Sequence, residues 1–318
     1  MNILEVLRSG PLSTIQDLGR PGYSRYGVPP SGAMDPFALE TGNILVGNSR
    51  VTAGLEMTMV GIKAIFLLHT IIAITGGAGN FTLNGQTISC WRCLLVEPGD
   101  VLDIGLITKG CRTYLTIAGG ITVSDVLGSK STYLPAHFGG WQGRPLKRGD
   151  LLPGFPLPEG RTFRTTNLAY TKIPDYSEHC TIRVILSPDH ELFSAETLEM
   201  FYAHSYEVST QSNRMGYRLQ GPSLKSKQTG NLLSAAVVTG AIQVPPDGQP
   251  IILAADHQTT GGYPILGVIA RVDFPKVAQL GVGKKLSFQG ISLEDAQSLL
   301  REQERFLHVL DLLVQESL

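Results

Sequence analysis

Charge is scarce in this chain. Asp, Glu, Lys and Arg make up 17% of its 318 residues, against about 25% in an average soluble domain. The two signs nearly cancel, 26 basic against 27 acidic for a net charge of −1, and no Lys/Arg block runs along the sequence. Nucleic-acid binding relies on a basic face that releases counterions, so that class is excluded. Long apolar runs are missing as well. The longest, Ala64–Ile74, holds about 11 residues and includes His69, whereas a membrane helix needs about 20. The N-terminus lacks a charged-then-apolar signal pattern. The expectation is a soluble, cytoplasmic protein with no membrane or nucleic-acid partner.

Cysteine is sparse, with four residues. Cys90-Trp91-Arg92-Cys93 has C-x-x-C spacing, but neither a second such pair nor a paired His follows to complete four zinc ligands. The run reads as a strand, which places Cys90 and Cys93 on opposite faces. These are expected to be structural thiols, and no metal is expected. Catalytic and cofactor signatures are absent too. There is no G-x-x-x-x-G-K-[ST], of which Gly128-Ser129-Lys130-Ser131-Thr132 resembles only the tail, no G-x-S-x-G, no H-E-x-x-H, no strand-to-helix G-x-G-x-x-G and no Met-Lys biotin attachment site.

What is abundant is glycine, 36 residues, and proline, 19. Short apolar runs bounded by turn residues dominate: Ile71–Thr75, Phe81–Leu83, Leu94–Val96, Val101–Ile104, Thr113–Ile117, Ile182–Leu186, Val237–Val238, Ile251–Ala254 and Gly267–Val272. Asn84-Gly85 between two such runs marks a hairpin. The fold class is mainly β, of sandwich or barrel type, with a few helices. Asp35-Pro36 reads as an N-cap followed by a first-turn proline, with Gly47 closing the helix. Glu191–His204 carries helical periodicity. A third helix opens on the Ser292/Asp295 capping box and runs to about Val314, packing on the body of the protein. The proline-rich stretch Leu152–Asp175 reads as a linker, placing domains at 1–175 and 176–318, with strand exchange between the halves as a variant. The halves echo each other. Arg20-Pro21-Gly22-Tyr23 matches Arg214-Met215-Gly216-Tyr217, and Thr75-Gly76-Gly77 matches Thr260-Gly261-Gly262. Either one β-domain is present in two copies, or glycine-rich fragments match by chance.

Two loops concentrate polar chemistry, Gln16–Asp35 and Ala255–Pro264. Gly and Pro keep both out of helices and central strands, and loops on a rigid frame carry binding groups. In the first, Arg20 and Arg25 offer planar forks suited to a carboxylate, with Ser31 beside them. Their structural alternative is pairing with a buried carboxylate or carbonyl. Asp35 reads as a helix cap rather than a catalytic group. In the second, Asp256 ends an apolar strand, where desolvation can prepare a general base, or it caps its own turn. Gln258 and Thr260 can donate to and accept from an amide at once, which suits a urea or lactam better than a hydrocarbon. Ser212–Arg218 forms a third polar cluster containing Arg214 and Tyr217. The candidate set is Asp256, Tyr263 and Arg214 for catalysis, with Arg20, Arg25, Ser31, Tyr217, Gln258 and Thr260 for substrate binding.

At these residues the chain resembles the allophanate hydrolase subunit 2-like, biotin-dependent carboxyltransferase family, which includes the C-type subunit of bacterial 5-oxoprolinase. The resemblance rests on Gln16–Gly22, Gly27–Asp35, Leu45–Asn48, Ala118–Ile121, Gly128–Leu134, Arg214–Leu219, Gly240–Pro245 and Gln258–Pro264, in order over most of the chain. It implies tandem cyclophilin-like β-barrel domains. It also implies one member of a heteromeric complex, working with B-type and A-type subunits that together use ATP to open 5-oxo-L-proline to L-glutamate. The ATP site in this chain is not identified, and no bound biotin is expected. The alternatives are a carboxyltransferase or allophanate hydrolase component acting on urea-like amides, or a regulatory protein that sequesters a kinase inhibitor. Relatives often carry a basic residue where this chain has Ile265. The missing charge is either lost or supplied by Arg271 or Lys276.

Overall fold

A computed structural model describes residues 1–157, 166–227 and 232–316. The chain divides into two compact units. The first comprises Met1–Arg20, Asp35–Asp175 and the chain from Arg305 onward; the second comprises Pro21–Met34 and Tyr176–Glu304. Among the described residues there are four α-helices and many short strands, the mainly β composition expected from the Gly- and Pro-punctuated apolar runs. Among the described residues no helix is long and apolar enough to cross a membrane.

The first unit is built from a six-stranded and a five-stranded sheet. The five-stranded sheet is centred on the pair Thr70–Gly79 and Ile107–Ile117, antiparallel with Leu115 opposite Ile74. Alternating apolar residues of several strands, among them Ile3, Leu4, Ile15, Leu55, Ile72, Ile74 and Leu115, meet in one core. Each such side chain contributes about 1.5–3 kcal/mol when fully withdrawn from water. Helix α1 (Pro36–Leu45) starts where the sequence places it. The Asp35 carboxylate accepts from the Ala38 N–H at 3.0 Å, Pro36 occupies the first turn, and Gly47 leaves it with φ +73°. The helix lies close to the sheet because Gly42 has no side chain. A Cβ there would come 2.9 Å from the Thr75 hydroxyl oxygen. The hairpin at Asn84-Gly85 is present, both residues having positive φ as a type I′ turn requires.

The second unit contains a closed barrel of seven strands. In barrel order these are His179–Leu186, Ile265–Ile269, Ala241–Gln243, Ile251–Leu253, Gly216–Gln220, Ser205–Val208 and Lys285–Gly290. All neighbours are antiparallel except the closing pair, where Cys180 lies beside Leu286 in parallel. Every second residue of His179–Leu186 from Cys180 to Val184 is buried, the period of a strand with one face on a core. Phe201 of helix α2 (Ala195–Ala203) stacks on Phe288 with ring centroids 4.3 Å apart. Helix α3 (Phe274–Ala278) follows a turn held by Asp273. That carboxylate accepts from the Arg183 guanidinium at two distances of 2.7 Å and pairs with Lys276 at 2.9 Å. Burial pushes the Asp273 pKa up, but the bonds from Arg183 and Lys276 outweigh it and hold it below the usual carboxylate value.

Helix α4 (Leu293–Gln315) begins with the Ser292 hydroxyl accepting from the Asp295 N–H at 3.0 Å, and Leu307 and Val314 are buried. Phe306 stacks on Phe37, so this part of the helix packs on the first unit, to which both residues belong.

Several expectations change. The second helix does not reach back to Glu191. Ser194 caps it through the Thr197 N–H, and Pro188–Leu192 is a separate 3₁₀ turn. Leu151–Pro153 is a strand pairing with Asn2–Glu5, so the linker does not start at Leu152; proline is tolerated because this is a sheet edge. Residues 158–165 of that stretch, including Pro158, lie outside the described residues. Val237–Val238 is not a strand; Ala235–Ala236 pairs instead, with Thr260–Gly261. Cys90 stands before its strand because Trp91 turns the backbone left-handed at φ +62°. None of the four cysteines forms a disulfide among the described residues, and burial pushes Cys90 up to about 12.

Candidate functional site

The barrel strand Ile251–Leu253 delivers the chain into a turn at Ala254–His257, and backbone bonds fasten that turn to the Arg214 loop. The Ala254 N–H donates to Met215 O at 3.0 Å and the Asp256 N–H to Arg214 O at 2.8 Å. This places the Arg214 side chain against Asp256. Its Nε donates to Oδ2 at 2.8 Å and its Nη2 to Oδ1 at 3.2 Å. The same Nη2 donates to the Gly32 carbonyl at 2.7 Å. Both residues are buried, with Asp256 at 2% and Arg214 at 6% exposure. Taking one partner away from such a pair leaves a charge in a dry site, at about 3–5 kcal/mol.

The Gly32 contact brings in the N-terminal loop. The Ser31 N–H donates to Ala255 O at 3.0 Å, and Met34 enters the core of the second unit. Ser31 is buried with left-handed φ +55°, and its hydroxyl has no hydrogen-bond partner among the described residues. Residues 31–32, 214 and 255–256 therefore touch one another, although Gly32 and Arg214 are 182 residues apart in sequence.

Next to Asp256 lies His257, also 2% exposed. Burial lowers its pKa, against the Gln258 carbonyl and the Asp256 charge, which raise it. The imidazole is thus neutral at pH 7. Nδ1 lies 2.5 Å from Gln258 O, a carbonyl, so it carries the proton and donates. Nε2 then holds a lone pair able to take a proton. Gln258 points its own Nε2 to Gln243 Oε1 at 3.2 Å. Thr260 is exposed in the ribbon with Ala235–Ala236, and Tyr263 is 37% exposed.

The other candidates are placed differently. Tyr217 is buried and its hydroxyl donates to Ala278 O at 3.2 Å, tying its strand to α3. Arg25 lies in an exposed 3₁₀ turn, its guanidinium 4.8 Å from the Tyr26 ring centroid. Arg20 belongs to the first unit, where it is 1% exposed, donates to the carbonyls of Ser131 and Val126, and lies over Phe138. Beside it, Asp17 accepts from the hydroxyls of Ser129 and Ser131 and from the N–H groups of Gly19 and Lys130. The run that mimics a phosphate loop therefore wraps a carboxylate. A cavity of about 580 Å³ adjoins this knot, lined by Thr122, Ser124, His137, Phe138, Trp141 and Gln142 among others. Lys276 is committed to Asp273, and the Ile265 N–H donates to Asp189.

His257 and Gln243 were not among the sequence candidates. The signal for His257 was its place between Asp256 and Gln258. For Gln243 the signal was its presence in a matching segment with no chemistry assigned to it.

A family model described as carboxyltransferase domain, subdomain A and B, matches residues 26–290. The chain is 37% identical over 309 residues to the 5-oxoprolinase C subunit of Escherichia coli (strain K12), covering 97% of each. It is 34% identical to the Haemophilus influenzae protein of the same name, covering 99% of each. Among solved structures, that of the K. lactis urea amidolyase superposes with a TM-score of 0.91 at 34% identity. There the match covers 97% of this chain and 20% of that one.

Proposed function

The chain belongs to the carboxyltransferase domain, subdomain A and B, family, and on that premise we propose that it is the C-type subunit of an ATP-dependent 5-oxoprolinase. It acts with a B-type and an A-type subunit to open 5-oxo-L-proline to L-glutamate. The observation that carries this reading is end-to-end correspondence. The chain is 37% identical to the 5-oxoprolinase C subunit, over 97% of both sequences.

Opening a lactam breaks the C–N bond, adds water across it and moves protons between ring nitrogen and oxygen. Asp256 is paired with Arg214, and we give it the role of holding the loop rather than that of base. Arg214, bonded to Asp256 and to the Gly32 carbonyl, we read as fixing the loops rather than clamping the substrate carboxylate. The groups that remain are His257 for a proton, Gln258 and Thr260 for the amide, and Tyr263 at the exposed edge. Arg25 is an exposed cation of the same unit and suits the substrate carboxylate. ATP is consumed by the complex, and its site in this chain is not identified.

The test is reconstitution. Mixed with its two partners, the chain should support ATP- and 5-oxo-L-proline-dependent glutamate release; alone it should release none. Glutamate from the chain alone, or none from the complete mixture, would overturn the reading. Carboxylation of urea in place of glutamate release would favour the second reading, a carboxyltransferase for urea-like amides, which the superposition on urea amidolyase supports.

A further inference from the structure

We propose that Gln243, paired with Gln258, reads the carbonyl of the substrate and selects amides whose C=O and N–H lie on the same edge, as in a lactam or urea. The proposal rests on the amide-site reading above and adds the residue and the selectivity.

Gln243 ends the barrel strand Ala241–Gln243, flanked by Ile242 and Val244, both of which enter the barrel core. Side chains alternate along a strand, so Gln243 faces the other way, as does Ala241, which packs with Val237 and Leu253 outside that core. The ladder slips at this position. Ile242 stands opposite Gly267 but Gln243 opposite Ile265, so Leu266 is skipped. Such bulges re-aim a side chain and are enriched beside functional sites. The ribbon of Ala235–Ala236 and Thr260–Gly261 passes over the amide. A Cβ on Gly261 would come 2.4 Å from Gln243 Nε2, so a side chain there would push the amide aside.

Gln243 is 2% exposed. Its Oε1 accepts from Gln258 Nε2, while its own Nε2 is buried with no hydrogen-bond partner among the described residues. A buried amide left unpaired costs about 1–3 kcal/mol, which a ligand oxygen would restore. The single bond between the two glutamines leaves a donor, Nε2 of Gln243, and an acceptor, Oε1 of Gln258. A cis amide offers the complementary acceptor and donor side by side. A trans peptide amide offers them on opposite edges. With Gln258 Nε2 as the donor, Oε1 of Gln243 must face it, which leaves Nε2 as the open group.

Titration of the assembled complex with 5-oxo-L-proline, urea and N-acetylglycine tests this, using wild type, Gln243→Met and Gln243→Glu. Wild type should bind 5-oxo-L-proline at least about tenfold tighter than N-acetylglycine, whose secondary amide is trans. Gln243→Met should weaken 5-oxo-L-proline binding by about five- to hundredfold, one lost hydrogen bond to a buried partner, while its melting temperature holds or rises. Gln243→Glu, of equal size but lacking the donor, should show the same loss and serves if Gln243→Met does not fold. If wild type binds neither 5-oxo-L-proline nor urea, the amide-site reading falls and this inference with it. If wild type binds and both variants bind equally well, a water fills the site and this inference falls alone. Equal affinity for N-acetylglycine overturns the selectivity.

Discussion

The second unit holds two buried polar groupings that behave in opposite ways. In one, Arg214, Asp256 and the Gly32 carbonyl satisfy one another, with the guanidinium engaging both carboxylate oxygens. In the other, Gln243 Nε2 and the Ser31 hydroxyl are buried with no partner among the described residues, and the neutral ring of His257 stands next to Gln258 in the chain. A charged pair draws the eye as catalytic. Here it is the neutral groups that have bonding capacity left, while the ion pair fastens the loops of Ser31 and His257.

The largest effect should come from breaking the saturated grouping. Asp256→Ala leaves Arg214 buried without its carboxylate and should lower stability by about 3–5 kcal/mol in urea denaturation. Replacing both partners, Arg214→Met with Asp256→Leu, should recover most of that loss, because an apolar pair carries no desolvation cost. A double variant no more stable than Asp256→Ala alone would show that the pair does more than hold the loops.

The unsatisfied grouping should respond in the reverse sense. His257→Gln should cut turnover by about 10²–10⁴-fold, the range for losing a general acid–base group, with little change in unfolding. The folded pKa of His257 is depressed, so the neutral ring is favoured in the native state. Its contribution to stability is complete above the unfolded value of about 6.5 and is lost as pH falls through the folded value. Activity should decline on the acid side at a pH below about 6.5, and this limb should vanish in His257→Gln.

Smaller again, Gly261→Ala should displace the Gln243 amide and raise KM for the amide by about fivefold, one hydrogen bond weakened at the low end of its range. Far from the site, Asp273 offers a control. Its pKa is depressed by Arg183 and Lys276 despite burial. Its stabilisation is present above about pH 4 and is lost as pH falls through the lower folded value. The acid unfolding midpoint should rise in Asp273→Asn, with no effect on amide affinity.

What could be read from the sequence was local. Asp35-Pro36 and Ser292/Asp295 announce helix starts because a cap bonds within a few residues. Asn84-Gly85 announces its turn because both residues accept positive φ. Where local signals misled, a neighbouring constraint overrode them. Leu192 and Phe193 have helical spacing, but Ser194 caps later and they fall in and just after a 3₁₀ turn. The site was harder. Its loops were visible as Gly-rich polar runs, and Arg214 and Asp256 stood out by residue type. Their pairing across 42 residues did not. Arg20 and Arg214 share an Arg-x-Gly-Tyr setting, yet Arg20 donates to the Ser131 and Val126 carbonyls while Arg214 pairs with a carboxylate as well as a carbonyl. Gln243 was invisible because its importance comes from a one-residue slip between strands, and register is set by packing across the sheet rather than by the residues of one strand.

Whether the unsatisfied amide, and not the ion pair, meets the substrate can be measured outright. The quantity is the KM for 5-oxo-L-proline in ATP-dependent glutamate release by the three-protein complex, wild type against Gln243→Met, with unfolding curves for both chains. A KM raised by about five- to hundredfold at unchanged or higher stability is expected. An unchanged KM in a folded Gln243→Met complex would show that the substrate is read elsewhere.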